Sequence, residues 1–365
     1  MAIYDINGND VSTGGSLSSN DIKTALISAV ADGSVNLGSV VGATLAYTSP
    51  GTAWETNAAT AYTNLLEAYK EIPNSGIPFF ITTDQHGMGV EANRWLNNND
   101  ADANGMGVIN LNLGDTVSDY FNEGELSNIY SRSWQIKNHI MVFGNHEIKM
   151  TTEVPNLYDL NRWFISTRGR KVNVGPMGLF TVYDDAHSVK YVCVSYYSED
   201  GDGNIVKGLT TGAAKWLVEE LKKNDGYDVV YLQHEPLSDS CMQRGDETET
   251  TEGLSTITGA AEREFAMWQI LVDRKNKTSG TYTDINGGVH DYDFSGCKHE
   301  LLLGLHGHVH EEWYSTARGL ISYAAPAYCY GSYSCVFGLV DRLNSKVTFW
   351  VFDSTGCLEP LELPI

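Results

Sequence analysis

Short apolar runs recur along this chain from about residue 79 onward, and five of them end alike. Residues 79–83, 108–113, 140–143, 229–232 and 301–305 are apolar on both faces, and a polar or glycine-bearing break comes after each. Runs of this length and uniformity predict buried strands rather than half-exposed ones. Further strand patterns fall at 179–183, 191–196, 319–323, 334–340 and 346–352. Helical spacing takes over between them. Trp54, Ala58, Tyr62, Leu65, Leu66 and Tyr69 make one stripe over 53–70, and Ala214, Leu217, Val218 and Leu221 another over 211–223. A third helix, at about 259–277, carries Phe265, Trp268, Ile270, Leu271 and Val272. Strands alternating with helices place the chain in the α/β class.

The first fifty residues differ in character. Residues 1–52 are rich in Gly, Ser and Asn and poor in charge, with one helical stretch at 21–30 behind Ser19 or Asn20. The expected organisation is an N-terminal appendage over 1–52, serving as an attachment segment or as a plain surface extension, and a catalytic domain over 53–365. Two polar stretches, 243–258 and 278–300, read either as rims over a site or as surface loops. Arg162 and Arg168 are candidates to contact phosphate oxygens.

The segments just beyond the five runs carry the chemistry. In order they are Asp84-Gln85-His86, Gly114-Asp115, Gly144-Asn145-His146-Glu147, Gln233-His234 and Gly307-His308-Val309-His310. Carboxylates, imidazoles and one amide at strand ends are suited to divalent cations, and the carboxyl ends of such strands are where open α/β sheets present ligands. The set resembles the calcineurin-like metallophosphoesterase superfamily over residues 75–352. That resemblance implies a two-sheet β-sandwich flanked by helices, the four-layer α/β/β/α metallophosphoesterase fold. It implies one ion held by Asp84, His86, Asp115 and His310, and a second by Asp115, Asn145, His234 and His308, with Asp115 bridging. His146 would then protonate the leaving oxygen or stabilise the phosphoryl group, and Glu147 would orient it. Asp119 lies one position later than the acidic residue often found in the family's second motif.

The implied reaction is hydrolysis of a phosphoester by a hydroxide shared between two divalent ions, manganese first, with iron, zinc or nickel as substitutes. The motifs narrow the subgroup. The arginine that comes after the Gly-Asp pair in the Ser/Thr protein phosphatases is missing, since Thr116, Val117, Ser118 and Asp119 occupy the stretch. His86 and Ser118 stand where the purple acid phosphatases carry a glycine and a tyrosine ligand. A small phosphodiester is preferred to a monoester. The alternative is a non-catalytic metal-binding or structural module of a larger, phage-related assembly.

Charge bears on the substrate. With 24 Lys+Arg against 46 Asp+Glu the formal charge is −22, and no basic groove for a long nucleic acid is visible in the sequence. Two divalent ions set against Asp84, Asp115 and one hydroxide leave the site about one unit positive, so a small anionic substrate is drawn locally. The six cysteines are scattered and are expected to be free thiols with no part in the site, which favours harder ions. His139, His187, His290 and His299 are expected at the surface or in loops, and His306 in the core or behind the site. No signal peptide or membrane span is apparent, so the expected location is cytoplasmic with no membrane partner.

Overall fold

The computed structural model describes residues 49–87, 91–99, 106–117, 136, 138–147, 170–176, 179–194, 197–199, 205–237, 241–244, 247–250, 261–285, 287–329 and 333–365, all within the compact unit Thr48–Ile365. The expected helix at 21–30, the N-terminal appendage, Asp119, Arg162 and Arg168 lie outside the described residues. The helices are α1 (Thr52–Lys70), α2 (Glu91–Asn99), α3 (Thr211–Lys222) and α4 (Ala261–Asn276).

The strands, in chain order, are β1 (Gly76–Thr82), β2 (Ile109–Asn112), β3 (His139–Met141), β4 (Val172–Val174), β5 (Phe180–Asp184), β6 (Val189–Val194), β7 (Tyr197–Glu199), β8 (Ile205–Lys207), β9 (Asp228–Gln233) and β10 (Cys241–Arg244). They continue as β11 (Glu247–Thr250), β12 (Ser279–Thr283), β13 (Val289–Asp293), β14 (Leu301–His306), β15 (Trp313–Ser315), β16 (Ile321–Ala324), β17 (Cys335–Asp341), β18 (Lys346–Phe352) and β19 (Leu361–Pro364).

Two mixed sheets result. One runs β19-β18-β17-β1-β2-β3, the other β11-β10-β15-β16-β14-β9-β6-β5-β4. Their inner faces share one core, in which Phe79, Ile81, Leu111 and Ile140 from the first sheet meet Tyr191, Val230, Leu303 and Tyr323 from the second. The rings of Tyr323 and Phe349 stack across it with centroids 3.8 Å apart. This double-sided burial is why the strand runs are apolar on both faces.

Helices close the sandwich on both sides. α1 buries Trp54, Ala58, Ala61, Tyr62, Leu65 and Tyr69. Trp54 packs on Phe352 and Tyr62 on Phe337, while Trp95 of α2 meets both Trp54 and Tyr62. α3 and α4 cover the second sheet through Leu217, Leu221, Trp268 and Leu271. The four-layer arrangement implied by the sequence is therefore the one observed.

Several local expectations are corrected. The stretch 278–300 is a hairpin of β12 and β13, not a rim over the site. It joins α4 to the amino end of β14, whereas the motif lies at the carboxyl end, and Tyr282 and Tyr292 pack it into the helical layer. His139 and His187 are buried, not superficial. His139 is buried at the start of β3, and His187 lies 2.6 Å from the carboxylate of Asp184. His290 pairs with Asp284 at 2.8 Å, and His299 accepts the amide of Gly226. His306 is a core residue whose Nδ1 faces the Gln233 carbonyl.

Candidate metal centre

β1, β2 and β3 run parallel, as do β9 and β14, so all five motif segments leave their strands at carboxyl ends. Backbone hydrogen bonds then stitch the loops together. Asp84 N donates to the Gly114 carbonyl at 2.9 Å, His86 N to Asp115 O at 3.0 Å, and Gly307 N to His234 O at 2.7 Å. Five of the seven predicted ligands take up left-handed backbone: Asp84 (φ 50°), His86 (42°), Asp115 (50°), His308 (73°) and His310 (63°). Each such residue costs about 1 kcal/mol or more, and concentrated strain of this kind marks functional sites.

Two glycines make room for this convergence. A Cβ on Gly144 would collide with the carboxylate and amide of Asp115, and one on Gly307 would collide with Thr83 Oγ1. Behind the loops lies a buried amide network. Gln85 donates to Asn93 Oδ1 at 3.0 Å, Asn112 donates to Gln85 Oε1 at 3.1 Å, and Gly114 N donates to Asn112 Oδ1 at 3.1 Å. α2 delivers Asn93 to this network, a role that sequence reasoning missed because Asn-rich helices carry no apolar stripe.

The seven side chains are brought together. His86 Nε2 and His310 Nε2 are 3.2 Å apart. Asn145 Oδ1 lies 2.9 Å from His308 Nδ1 and 3.2 Å from His234 Nε2. Asp115 Oδ2 is 3.2 Å from His234 Nε2, and Asp84 Oδ1 is 3.3 Å from His310 Nε2. Ligand atoms of Asp115, His234 and His308 form one compact group, those of His86, Asp115 and His146 a second, and Asp115 is common to both.

Each carboxylate has one oxygen held and the other turned inward. Asp84 Oδ2 accepts from Thr83 Oγ1 at 2.7 Å and from His308 N at 2.9 Å, while Oδ1 is buried and accepts no well-formed hydrogen bond. Asp115 Oδ1 accepts from His146 N at 2.9 Å, which leaves Oδ2 toward the imidazoles.

His234 decides what this arrangement requires. Its Nδ1 faces the Leu113 carbonyl at 2.6 Å, and a carbonyl only accepts, so Nδ1 carries a proton. A neutral imidazole then turns the lone pair of Nε2 toward Asp115 Oδ2, Asn145 Oδ1 and, at 3.9 Å, Asp84 Oδ1. A proton on Nε2, or a metal ion in its place, satisfies these acceptors. Burial disfavours charge on His234, yet Asp115 and Asp84 hold its pKa well above the ordinary imidazole range. Burial likewise raises Asp115, but the His234 charge and hydrogen bond bring it below the usual carboxylate range. Burial depresses His86 and His308, favouring the neutral imidazoles that ligate metals. Carboxylate oxygens, an amide oxygen and imidazoles fit divalent ions.

Glu147 is placed differently from the expectation that it orients His146. Its oxygens accept four backbone N–H groups, from Asp115 (2.9 Å), Thr116 (2.6 Å), Val117 (3.1 Å) and Gly144 (2.7 Å). It ties the second motif to the third instead. Burial and the nearby Asp115 charge push its carboxyl up to about 7, against the pull of those amides. His146 stacks edge-on against His86 at 4.5 Å between centroids, with Nε2 3.8 Å from Asp115 Oδ2. A residue not foreseen for the site, Cys329, brings its sulfur into ligand range of His86 and His310.

No family model matches the sequence, and no curated protein does. Solved structures with distant likeness include a calcineurin-like phosphoesterase, YfkN, from Bacillus subtilis, 11% identical over 80% of this chain and 91% of its own with a TM-score of 0.35. A phosphopantetheinyl hydrolase from Mycobacterium tuberculosis is 12% identical over 70% of this chain and 91% of its own, at 0.34. A predicted phosphoesterase from Streptococcus pneumoniae TIGR4 is 8% identical over 80% and 99%, at 0.32.

Proposed function

We propose that this chain hydrolyses phosphoester bonds with two divalent metal ions, acting on a small phosphodiester in preference to a monoester. The observation that carries this reading is the convergence of carboxylate and amide oxygens from Asp84, Asp115 and Asn145 with the ring nitrogens of His86, His234, His308 and His310 at the carboxyl ends of five strands. Asp84, His86, Asp115 and His310 would hold one ion, and Asp115, Asn145, His234 and His308 the other. When bound, such a pair supplies an acidified water at neutral pH and offsets the charge of a phosphoryl group.

The chain's own residues do the rest. Thr83 and the His308 amide lock one oxygen of Asp84, so that the other is fixed without rearrangement. The Leu113 carbonyl sets the tautomer of His234. His146 is partly exposed at the mouth, with a side-chain exposure of 24%, and can reach an incoming substrate. Its part is to hand a proton from its imidazole to the departing alkoxide. The charge of −22 supports a small substrate over a polynucleotide.

Residues 53–365 would serve as the catalytic domain, with 1–52 as an attachment segment. The test is parallel assay of Mn²⁺-loaded protein on bis-(p-nitrophenyl) phosphate and p-nitrophenyl phosphate, with chelator and His146→Ala controls. Turnover should be metal-dependent, faster on the diester, and slower in the variant. Turnover unaffected by chelator would refute the reading.

A further inference from the structure

Cys329 brings a thiol to a place where no sequence motif announces one. It belongs to the loop after β16, which is stapled to the site by three backbone hydrogen bonds: Ala325 N to His306 O (2.9 Å), Ala327 N to His310 O (3.2 Å) and Tyr328 N to Thr83 O (2.9 Å). The middle bond holds the loop to one candidate ligand, and the last to the residue preceding another. Cys329 is 2% exposed, and its Sγ lies within 4.8 Å of both the His86 and His310 ring nitrogens. Asp84, fully buried, points into the same space an Oδ1 that accepts no well-formed hydrogen bond and lies 3.3 Å from His310 Nε2. Two imidazoles and a sulfur therefore lie within 4.8 Å of one another, with the Asp84 oxygen beside His310.

We propose that Cys329 is a fifth protein ligand to the ion held by Asp84, His86, Asp115 and His310, and that it makes this position select a thiophilic ion of the zinc class. The proposal rests on the binuclear reading above and deepens it. The two positions then differ in kind. The Asp115, Asn145, His234 and His308 set offers only oxygen and nitrogen, whereas the Cys329 position adds sulfur, and thiolate ligands favour softer ions over Mn²⁺. On binding, the sulfur–metal bond forms as the thiol proton leaves to solvent.

The test is spectroscopic. Full-length protein titrated with Co²⁺ should develop a near-ultraviolet thiolate-to-cobalt charge-transfer band with the first equivalents, and Cys329→Ser should lose it. The band should survive in Cys335→Ser, whose thiol lies in β17. By calorimetry, Cys329→Ser should bind Zn²⁺ about tenfold or more weakly while its Mn²⁺ affinity changes less. Zinc-edge absorption on the unaltered protein reads the same point should the variant fail to fold. One sulfur neighbour at about 2.3 Å supports the proposal. Two bound ions with only nitrogen and oxygen neighbours overturn it and leave the binuclear reading standing. Failure to bind any ion overturns both.

Discussion

The carboxylate of Glu147 accepts the backbone amide of Asp115 at 2.9 Å, and through its two oxygens also takes the amides of Thr116, Val117 and Gly144. One buried side chain thus fixes the loop that bears the shared ligand against the turn that bears Asn145 and His146. Glu147→Gln leaves only one oxygen to accept and turns an NH₂ group toward amide donors. It should destabilise metal-free protein in urea unfolding by about 1–3 kcal/mol, since buried amide donors are orphaned. His146→Ala should change stability by less than about 1 kcal/mol while reducing turnover. Similar stability in both variants, with similar loss of turnover, would restore Glu147 as the partner that orients His146.

Gly144 tests the close approach of the second and third motifs. A methyl group there collides with the carboxylate and amide of Asp115. Gly144→Ala should therefore displace Asp115, the residue proposed to serve both ions, lowering the affinity for both in calorimetry by about tenfold or more. Loss at one position alone would mean that the loop gives way without moving Asp115.

Removing metal should destabilise the fold, because Asp84 and Asp115 are then buried without a cation to offset them. An ion present at about 100 times its dissociation constant adds about 2.7 kcal/mol, so chelator should lower the melting temperature measurably. Asp84→Asn should behave oppositely. The amide can keep its oxygen toward Thr83 and the His308 amide while presenting NH₂ to the imidazoles. Its melting temperature in chelator should match or exceed that of the parent, and its rise on adding Mn²⁺ should be smaller.

His139 gives a pH dependence away from the metals. Burial lowers its pKa from 6.5 to about 3, and its Nε2 finds no hydrogen-bond partner. The unfolded chain therefore binds a proton below pH 6.5 that the folded chain does not. Stability from this group is full above that value and is lost as the pH falls toward 3. Between pH 7 and pH 5 the loss is about 2 kcal/mol. His139→Leu should flatten that part of the urea-derived pH profile, and an unchanged slope would show that the imidazole titrates normally in its place.

The layers of the fold and the clustering of the candidate ligands were both legible in the sequence. The motif strands were legible because burial on two faces leaves uninterrupted apolar runs, and β18 falls where the pattern placed it, at Lys346–Phe352. The polar elements were not legible. α2 drew no expectation because Asn93 is buried by hydrogen bonds to Thr82 and Asn110 that only the folded neighbours supply. The β12–β13 hairpin hides for the same reason, since only Tyr282 and Tyr292 of its strands face inward. His139 and His187 looked superficial because a lone histidine carries no sign of its packing. Cys329 looked idle because its nearness to His86 and His310 is set by backbone bonds from residues far away in sequence.

Anomalous diffraction from crystals grown with excess Zn²⁺ or Mn²⁺ would locate the ions without recourse to turnover. Two peaks about 3.5–4 Å apart are predicted, one beside His86 and His310, the other beside His234 and His308, with the Asp115 carboxylate between them. A single peak, or two that do not share Asp115, would contradict the binuclear centre.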